Sequence, residues 1–584
     1  MRHLLPLLFL LTVLVGCLMS QEEYHDLLEV SMDHDQDGHR RPPYENGDDC
    51  DDEDATVFPG AEELCDNQDN DCDFDVDEGV QIILYADVDG DGFGDPDAPR
   101  GVCGPGEGLV ENAEDCDDAN PDVWPGAVEV CGDGLDNDCS GDNAGCRWSG
   151  EQSASDAVAQ WRGIEVMDAA GGVTALGDTN GDGLDDVLVA APYVDRGASW
   201  SVGEVYLLLG PATGTHSLSE ADAIIEGVGT NSHFGQYPAG VGDLNSDGYA
   251  DIGVGLYTFD YAEPGDGAAL IFFGPLSGSL DMHDADVWLY GAGVSWLAGT
   301  GVVGLGDTDG DGHDDVAIRG EDGHGENRIY VVNGPLTRDT SLGSANAVVH
   351  PRSDAELFAS FLREAGDFNG DGLGDLVTNA NLDDGVTSEV YVHNGPLSGA
   401  LAAEDADVIV RGPARTGTSW FEGSYPVGVG DHNNDGYDDL ATSSPATTII
   451  AVGGGVGYLF YGPLEGSLTV ARAEASIMGE EENTGAAIWE GLGDLDGDGS
   501  SEVVCIGIVE PTPSTQERVN GIFFGPTYGT LVLSDANAAF IDDADLEAGI
   551  EAAGDLNGDG FDDLGWSGDP DSRGLVRFFF GMGG

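Results

Sequence analysis

An acidic segment of ten residues recurs seven times between residues 177 and 563, and it constrains the fold of this chain more than any other feature. The first copy reads Gly177-Asp-Thr-Asn-Gly-Asp-Gly-Leu-Asp-Asp186. The leading aspartates are Asp178, Asp243, Asp307, Asp367, Asp431, Asp494 and Asp555, so successive copies are 60 to 65 residues apart. A fixed period of this length is typical of a repeat architecture, in which each repeat is one structural unit packed against the next.

Each copy follows the pattern D-x-[DN]-x-D-G-x-x-[DE], which is the spacing of a calcium-binding loop. Oxygen side chains stand at loop positions 1, 3, 5 and 9, position 7 offers a backbone carbonyl, and glycine at position 6 permits a sharp turn. An EF-hand would continue with glutamate at position 12 and a helix, whereas Val189 stands there in the first copy and a β-type apolar run follows. Metal-free Asx-rich turns are the alternative, but bare carboxylates at this spacing would repel one another.

The predicted Ca2+ ligands of the seven loops are the residues at positions 1, 3, 5 and 9, together with the carbonyl of position 7. In chain order they are Asp178, Asn180, Asp182, Leu184, Asp186, Asp243, Asn245, Asp247, Tyr249, Asp251, Asp307, Asp309, Asp311, His313, Asp315, Asp367, Asn369, Asp371, Leu373, Asp375, Asp431, Asn433, Asp435, Tyr437, Asp439, Asp494, Asp496, Asp498, Ser500, Glu502, Asp555, Asn557, Asp559, Phe561 and Asp563. About seven calcium ions are therefore expected, one for each loop.

Four apolar segments separated by glycine-rich turns fill each period and are predicted to be β-strands. In the second period they are residues 220–227, 234–242, 251–257 and 269–274. Four strands per repeat predict an all-β fold, a seven-bladed β-propeller over residues 154–584. The strand at 155–163 precedes the first loop and the last repeat is one strand short. The N-terminal strand is therefore expected to complete the last blade and close the ring.

The repeats resemble the FG-GAP repeats of the integrin α-subunit propeller over roughly three quarters of the chain. The acidic loop matches that family's pattern closely, Phe234-Gly235 is the clear FG pair, and Ala191-Pro192 is the clearest remnant of the GAP turn. The resemblance implies calcium in the loops that join the first two strands of each blade. It also implies that the variable loops emerge on the opposite face.

Residues 1–17 have a basic start, an apolar run and a small residue before Cys17, which is typical of a signal peptide and too short for a membrane span. Leu14-Val15-Gly16-Cys17 resembles the lipobox of bacterial lipoproteins. This resemblance implies lipidation at Cys17; an ordinary signal peptide is the alternative. Residues 18–45 are polar and are expected to form a flexible tether. The protein is thus predicted to be exported and lipid-anchored at the bacterial outer membrane or cell surface.

Residues 46–147 hold eight of the ten cysteines, in two rough copies that begin at Asp49 and Asp115 and share DCDD, PGA and DNDC in the same order. The copies resemble the Asp- and Cys-rich metal-binding repeats of bacterial surface proteins. An even cysteine count in an exported, loop-rich segment predicts disulfides, with a cysteine-only zinc cluster as the alternative. The candidates are Cys50, Cys65, Cys72, Cys103, Cys116, Cys131, Cys139 and Cys146. Proximity favours Cys65–Cys72, Cys103–Cys116 and Cys131–Cys139, which leaves Cys50 for Cys146.

This N-terminal segment also contains candidate calcium loops, so one or more further calcium ions are expected. One loop comprises Asp87, Asp89, Asp91, the carbonyl of Phe93, and Asp95. A second comprises Asp69, Asp71, Asp73 and Asp77, with Phe74 where glycine is preferred. Ala144 occupies position 9 after Asp136 and Asp138, and Asp33-x-Asp35-x-Asp37-Gly38 also lacks a ninth-position acid, which counts against sites in these two places.

The formal charge of −94, from 112 acidic and 18 basic residues, disfavours nucleic acid and anionic membrane surfaces as partners. The chain has no G-x-S-x-G, H-E-x-x-H or phosphate-binding glycine loop, and Cys505 is predicted to be a small buried hydrophobe. The sequence therefore predicts a non-catalytic, calcium-dependent adhesion or binding protein with an extracellular protein or glycan ligand. A propeller-scaffold enzyme acting on extracellular polysaccharide and a purely structural envelope protein are the alternatives.

Specific recognition requires side chains that are not repeated, and these occur in the loops expected opposite the calcium loops. The loops run from Tyr193 to Trp200, from Tyr257 to Asp266 and from Arg411 to Tyr425. Aromatic and arginine side chains are enriched at binding hot spots. Tyr257, Phe259 and Tyr261 have no equivalent in the other repeats and are predicted to contact the partner.

Overall fold

The computed structural model of the 584-residue chain describes most of the sequence. The exceptions are residues 1–32, 41, 43–46, 107, 122, 126, 128, 131–136, 138, 140–145, 149, 154–156, 165–169, 198, 365, 385–386, 413–424, 446–453, 481–484, 513–514, 543–548, 569–572 and 582–584. The chain divides into two compact units. Unit 1 comprises Met1–Ala127 and Leu135–Asp142, and unit 2 comprises Val128–Gly134 and Asn143–Gly584.

Unit 1 is a loop-rich segment with little regular structure. Its one sheet within the described residues has three antiparallel strands, Ile82–Ala86 in the centre with Pro99–Val102 and Leu109–Val110 on either side. Few apolar side chains are buried here; Val57, Leu84 and Val123 are examples. Such a segment cannot rely on a hydrophobic core, so disulfides and bound ions are the expected sources of its stability.

Three disulfides join cysteines in the described part of unit 1, and their pairing corrects the one predicted from proximity. The bonds are Cys50–Cys72, Cys65–Cys103 and Cys116–Cys139. The predicted pairs Cys65–Cys72, Cys103–Cys116, Cys131–Cys139 and Cys50–Cys146 are therefore wrong. Pairing by proximity in the sequence was wrong because the cysteine of each DCDD motif pairs with the DNDC cysteine of the same copy, 22 or 23 residues away. Cys131 lies outside the described residues.

The described part of unit 2 contains no α-helix, and its main feature is a set of seven five-stranded sheets. We number the sheets in the order of their acidic loops. Sheet 1 consists of Gly171–Gly177, Asp186–Ala191, Glu204–Leu208, Ala223–Glu226 and Gly278–Asp281. Sheet 2 consists of Pro238–Gly240, Ile252–Leu256, Ala268–Phe272, Val287–Tyr290 and Thr340–Ser341.

The other sheets repeat this order. Sheet 3 consists of Gly301–Gly306, Asp315–Glu321, Asn327–Asn333, Ala347–His350 and Gly399–Ala402. Sheet 4 consists of Ala355–Glu364, Leu376–Leu382, Ser388–His393, Val408–Arg411 and Gly466–Thr469. Sheet 5 consists of Tyr425–Gly428, Leu440–Ser444, Val456–Phe460, Ala475–Met478 and Gly529–Val532.

Sheets 6 and 7 combine C-terminal strands with strands from before the first loop. Sheet 6 consists of Ala487–Gly491, Val503–Thr512, Thr515–Phe523, Ala538–Asp542 and Gly150–Gln152. Sheet 7 consists of Gly549–Gly554, Asp563–Gly568, Leu575–Phe579, Ala159–Arg162 and Gly214–Ser217. Outside these sheets, Glu129–Val130 and Cys146–Arg147 form a two-stranded parallel pair.

The first four strands of each sheet are antiparallel, as predicted, but the fifth strand was not anticipated. It runs parallel to the fourth and comes from the following repeat, as in the pairing of Gly278–Asp281 with Ala223–Glu226. After the third strand of one sheet, the chain forms the fifth strand of the preceding sheet. A 3-10 turn then leads back to the first of these sheets, where the chain forms the fourth strand. These turns are Leu218–Glu220, Met282–Asp284, Leu342–Ser344, Ala403–Asp405, Val470–Arg472 and Leu533–Asp535. Each sheet thus carries an edge strand from its neighbour.

The sheets form a closed cycle, which is the arrangement of a β-propeller. The first strand of each sheet contacts the first strand of the next, and the first strand of sheet 7 contacts that of sheet 1. The N-terminal strand Ala159–Arg162 pairs antiparallel with Leu575–Phe579, with Trp161 opposite Val576. The N-terminal strand therefore completes the last sheet, as the offset of the repeats predicted.

The hydrophobic core lies between neighbouring sheets. The second and third strands of sheet 1 are buried along their whole length, which explains why they are continuous apolar runs rather than alternating ones. Trp566, Tyr206 and Tyr391 are the largest of the fully buried side chains. Cys505 is free and buried, and burial raises the pKa of its thiol to about 12, so its predicted role as a small hydrophobe is confirmed. Among the described residues, the search for helices long and apolar enough to cross a membrane found none.

Candidate metal sites

Every acidic loop joins the first strand of a sheet to the second, so the seven loops lie at the same end of their sheets. We call this the Asp-loop end. In sheet 1 the loop starts after Gly171–Gly177 and ends at Asp186, which begins the second strand. The sequence repeat therefore places seven copies of one acidic loop around one end of the ring.

The first aspartate of each loop organises the loop backbone. Asp178 Oδ1 accepts the N–H of Asn180 (3.2 Å) and Gly181 (2.6 Å), and its Oδ2 accepts that of Gly183 (2.9 Å). Burial tends to raise the pKa of Asp178, but these N–H groups outweigh burial and lower it. The same balance lowers the pKa of Asp307. The carboxylates of Asp178 and Asp307 are thus held ionised and in place, as a cation ligand requires.

The loops turn sharply at two places, of which the sequence analysis recognised one. The predicted glycine at position 6 has positive φ in all seven loops, for example 88° at Gly183. Position 4 has positive φ as well, including the non-glycine residues Ser246 (65°) and Asn434 (55°). Asparagine tolerates this region better than most residues, and Asn434 also donates its side-chain N–H to the carbonyl of Asp498.

The acid at position 9 is buried and connects the loop to the third strand. Asp375 Oδ2 accepts the N–H of Phe368 at loop position 2 (2.9 Å), and Oδ1 accepts the N–H of Gly395 after the third strand (3.0 Å). Asp186, Asp251, Asp315, Asp439 and Asp563 make the equivalent pair of bonds. In Asp186 and Asp315, Oδ2 also accepts the hydroxyl of the position-2 threonine, so only Oδ1 retains a lone pair there. In the other acids each oxygen retains one, so every position-9 acid can combine a structural role with a ligand role.

Burial gives these position-9 acids raised pKa values despite their N–H partners. The pKa reaches about 7 for Asp251, Asp375 and Asp439, about 6 for Asp315 and about 8 for Asp563. Glu502 in sheet 6 is the extreme case, with burial as the main cause and a pKa of about 9. Its Oε2 accepts the N–H of Leu495 (2.7 Å), but its Oε1 is buried without a partner.

Neighbouring loops are hydrogen-bonded to one another. In six of the seven described loops the N–H at position 8 donates to the position-1 carbonyl of the preceding loop, as in Ala250 to Asp178 (2.9 Å) and, across the closure, Asp185 to Asp555 (3.0 Å). Where position 8 is aspartate, its side-chain carboxylate also accepts the position-1 N–H of the preceding loop, as Asp314 accepts from Asp243 (2.7 Å). The acidic loops therefore form a linked ring rather than seven separate sites.

The loop chemistry fits a divalent cation. Positions 3 and 5 face each other, with the Asn180 side-chain nitrogen 3.1 Å from Asp182 Oδ2. Asn245 Oδ1 at position 3 and Asp559 Oδ2 at position 5 are buried without a hydrogen-bond partner. A buried carboxylate oxygen with no partner is costly, and a hard cation with oxygen ligands would satisfy it.

Unit 1 contains several acidic clusters whose ligand atoms lie within 4.8 Å of one another. One is Asp87 and Asp89 with Asp118, which sequence reasoning missed because Asp118 is far along the chain. Asp95, predicted at position 9 of this loop, instead accepts the N–H of Asp97 (2.7 Å). A second cluster is Asp33, Asp35 and Asp37, in a loop whose missing ninth-position acid argues against a site in the sequence alone.

The second predicted loop of unit 1, which begins at Asp69, forms with different partners. Asp69, Asp71 and Asp73 cluster as predicted, and Phe74 adopts φ 82° where glycine was preferred, while its side chain is 93% exposed. Asp77 lies in another group, with Cys65 and Cys103, and its Oδ1 accepts the N–H groups of Asp66 and Asn67 (both 3.0 Å). Glu63 and Glu78 approach Asp71 instead, as a second group of this region. Asp136, Asp138 and Ala144 lie outside the described residues.

The end of the sheets opposite the Asp loops carries exposed apolar side chains. Tyr193 and Trp200, between the second and third strands of sheet 1, are 46% and 69% exposed. Val228 in sheet 1 and Tyr261 and Val294 in sheet 2 are exposed at the same end. We call these five residues the apolar patch. Of the third predicted partner loop, residues 413–424 lie outside the described residues.

The aromatic triple of sheet 2 has a larger packing role than the sequence suggested. Phe259 packs against the hydrophobic core beside Trp288, with ring centroids 5.4 Å apart. Tyr261 stacks on Trp288 at 5.1 Å and donates its hydroxyl to Asp339 Oδ2 (2.6 Å). Tyr257 lies 6.1 Å from Tyr237, edge to face. Replacing all three with alanine would therefore disturb the sheet as well as any partner surface.

Two families match parts of the chain and confirm its resemblance to FG-GAP repeats and to Asp- and Cys-rich metal-binding repeats. The FG-GAP repeat matches residues 170–208, and the family described as "Putative metal-binding motif" matches residues 49–78 and 115–143. Metal binding and an FG-GAP propeller are thus supported independently of the loop geometry. The disulfides of unit 1 indicate an extracellular or exported protein.

The similar proteins include several integrin α-subunits. Integrin alpha-PS2 of Drosophila melanogaster is 30% identical over 229 residues, which are 36% of this chain and 16% of that protein. Integrin alpha-IIb of Homo sapiens is 38% identical over 122 residues, 20% of this chain and 11% of that protein. The chain thus spans less than a fifth of the length of these relatives. Among solved structures, the WD40 domain of Toxoplasma gondii coronin aligns with a TM-score of 0.40 and 9% identity, over 72% of this chain and 83% of that one.

Proposed function

We propose that this protein is a non-catalytic, calcium-dependent binding protein of the bacterial cell surface, which captures an extracellular protein or glycan through its propeller. The observation that carries the proposal is the separation of two kinds of surface. One end of the sheets is committed to seven similar acidic loops, and the other end presents the apolar patch of non-repeated side chains. Repeated loops suit a shared structural ion, whereas a unique exposed patch suits a specific partner.

Calcium is proposed to stabilise the propeller from the Asp-loop end. Extracellular sites bind Ca2+ with a Kd of roughly 10⁻⁴–10⁻³ M. At about 1 mM Ca2+ and a Kd near 10⁻⁴ M, each site would add about 1.4 kcal/mol by mass action. Seven such sites contribute on the order of 10 kcal/mol, comparable to the stability of a domain. We expect EGTA to lower the melting temperature markedly; an unchanged melt would contradict the calcium proposal.

The partner is proposed to bind at the apolar patch of sheets 1 and 2. The test is a screen of glycans and bacterial surface proteins with full-length mature protein, with and without calcium, followed by Trp200→Ala. We expect this variant to lose at least about tenfold in affinity, as for a hot-spot aromatic, and to keep its calcium-dependent melt. The matched control is Tyr528→Ala, because Tyr528 is also exposed (61%) but lies at the Asp-loop end. Its neighbour Thr527 contacts His432 of an acidic loop there. Equal losses in both variants would contradict the assignment of the binding end.

Surface display is proposed to depend on lipidation of Cys17. We expect metabolic labelling with a palmitate analogue to mark the wild type but not Cys17→Ser, and the variant to be released from the membrane fraction. An enzyme acting on polysaccharide is the competing function. Release of sugar fragments in the same glycan screen would favour it and contradict a purely binding role.

A further inference from the structure

The propeller loops define what the acid at position 9 does. In each loop it accepts the N–H of position 2, as Asp186 accepts from Thr179 at 2.9 Å. In unit 1 the loop that begins at Asp33 has arginine as its ninth residue, and Asp95, the ninth residue of the loop that begins at Asp87, accepts the N–H of Asp97. Instead, the position-2 N–H of His34 donates to Asp52 Oδ1 (3.1 Å), and that of Val88 donates to Asp118 Oδ1 (2.8 Å). Asp52 and Asp118 therefore occupy the place of the ninth-position acid in both loops.

The same two DCDD motifs supply a second carboxylate to each loop. Asp49 and Asp115 are only 1% and 2% exposed. Each accepts one N–H on Oδ1, from Asp51 and Asp117 respectively (both 2.9 Å), and each has an Oδ2 without any hydrogen-bond partner. The N–H of Asp49 donates to the carbonyl of Arg40 (3.2 Å), and that of Asp115 donates to the carbonyl of Gly94 (3.3 Å), so each motif is hydrogen-bonded to the chain just after its loop.

Other oxygens of the two loops are also buried and unpartnered. They are Asp33 Oδ1, Asp35 Oδ2 and Asp37 Oδ2 in the first loop and Asp89 Oδ2 and Asp91 Oδ2 in the second. The ligand atoms of Asp33, Asp35 and Asp37 lie within 4.8 Å of one another, and so do those of Asp87, Asp89 and Asp118. Buried carboxylates this close are strongly unfavourable unless protons or a cation neutralise them.

We propose that Asp49 and Asp52 complete a Ca2+ site on the loop Asp33–Gly38, and that Asp115 and Asp118 complete an equivalent Ca2+ site on the loop Asp87–Gly92. Each site is composite: the loop supplies three carboxylates, and the first and last aspartates of a DCDD motif downstream supply two more. The proposal concerns unit 1 alone and holds whether or not the propeller binds a partner.

The disulfides explain how the distant carboxylates are held. Cys50 and Cys116, the cysteines inside the two DCDD motifs, are bonded to Cys72 and Cys139. In both copies the N–H of the motif cysteine also points at the sulfur of its partner, at 3.3 Å. The two motifs thus have the same local geometry, which supports the same role for both.

The ligand set selects a hard cation. All five side chains of each site offer carboxylate oxygen, and the neighbouring cysteines Cys50 and Cys116 are in disulfides, so they cannot act as thiolate ligands. Ca2+ takes six to eight oxygen ligands in flexible geometry, whereas copper favours nitrogen and sulfur. Calcium is therefore the cation we assign to both sites.

The test counts bound calcium by native mass spectrometry of full-length mature protein. We expect Asp52→Asn and Asp118→Asn each to remove one calcium ion, and the two together to remove two. Asp35→Asn combined with Asp52→Asn should remove only one, because both residues serve the same ion. The matched controls are Asp51→Asn and Asp117→Asn, exposed neighbours within the same motifs, which should keep every ion.

An unchanged calcium count in both Asp52→Asn and Asp118→Asn would overturn the proposal. So would stoichiometric Cu2+ binding that these substitutions abolish while the calcium count stays constant. If either variant fails to form its disulfides, Asp35→Asn and Asp89→Asn reach the same two sites from the loop side. Each of these should then remove a single ion, and retention of all ions in both would equally overturn the proposal.

Discussion

The position-9 acid has two possible roles, hydrogen-bond acceptor and metal ligand, and Asp375 allows them to be separated. Its two oxygens accept the N–H groups of Phe368 and Gly395. Asp375→Ala leaves one fully buried and one partly buried N–H without an acceptor. An unsatisfied buried donor costs about 1–3 kcal/mol, so we expect the free energy of unfolding to fall by about 2–4 kcal/mol. This loss should persist in EGTA, because the hydrogen bonds do not need the ion.

Glu502 provides the matched control. It stands at the same loop position, but it bonds only the N–H of Leu495, and its pKa of about 9 leaves it neutral at pH 8 without calcium. Glu502→Gln keeps the acceptor and the size of the side chain, so in EGTA it should cost less than about 1 kcal/mol. Asp375, with a pKa of about 7, is mostly ionised at this pH.

Urea unfolding followed by tryptophan fluorescence at pH 8, with calcium and with EGTA, measures both variants. We expect Asp375→Ala to be destabilised in both conditions and Glu502→Gln in calcium alone. If Asp375→Ala matches the wild type in EGTA and differs only when calcium is present, the carboxylate acts purely as a ligand. The structural role assigned to the position-9 acids would then be wrong.

Three further predictions follow from the same contacts. The position-9 acids have folded-state pKa values of about 6 to 9, above the unfolded value near 4. Their contribution to stability is therefore lost as the pH rises through that range. In EGTA the melting temperature measured by calorimetry should be higher at pH 6 than at pH 8, and a lower value at pH 6 would contradict this prediction. Peptide mapping without reduction should recover the three disulfides of unit 1 and an unmodified Cys505, which alkylating reagents reach only after denaturation. Trp161→Ala in the closing strand should cost about 3–5 kcal/mol in urea unfolding, whereas the exposed Val158→Ala should cost little; equal effects would argue against closure by this strand.

The sequence predicted the four antiparallel strands and the closure because both are written in local patterns. Apolar runs and glycine turns mark the strands, and the offset of the first apolar segment from the first loop marks the closing one. The fifth strand was missed because Gly278–Asp281 is short, half exposed and pairs with a neighbouring repeat. Neither its length nor its polarity distinguishes it from a loop.

The sequence can predict a full set of candidate ligands only where all of them share one loop. The spacing of Asp178 to Asp186 contains its own ninth-position acid. For Asp33 and Asp87 the equivalent acid lies 18 or 30 residues from the loop's second residue, and a periodic search cannot find it. The prediction of the disulfide pairs was wrong for a related reason, since pairing by the shortest sequence separation ignores the folded path that brings Cys50 to Cys72. Contacts made by tertiary packing leave no fixed interval in the sequence.

The exchange of edge strands has a consequence for how such a chain can grow. Each repeat forms four strands of its own sheet and the edge strand of the preceding sheet. The boundaries of a sequence repeat therefore do not coincide with the boundaries of a sheet. An internal duplication of about one period would add the four strands of a new sheet and also the edge strand that completes the preceding sheet. The closing strand Ala159–Arg162 would stay in place. A deletion that starts or ends within a sheet would instead leave two sheets incomplete. Changes of ring size in this architecture are therefore expected to occur in whole periods.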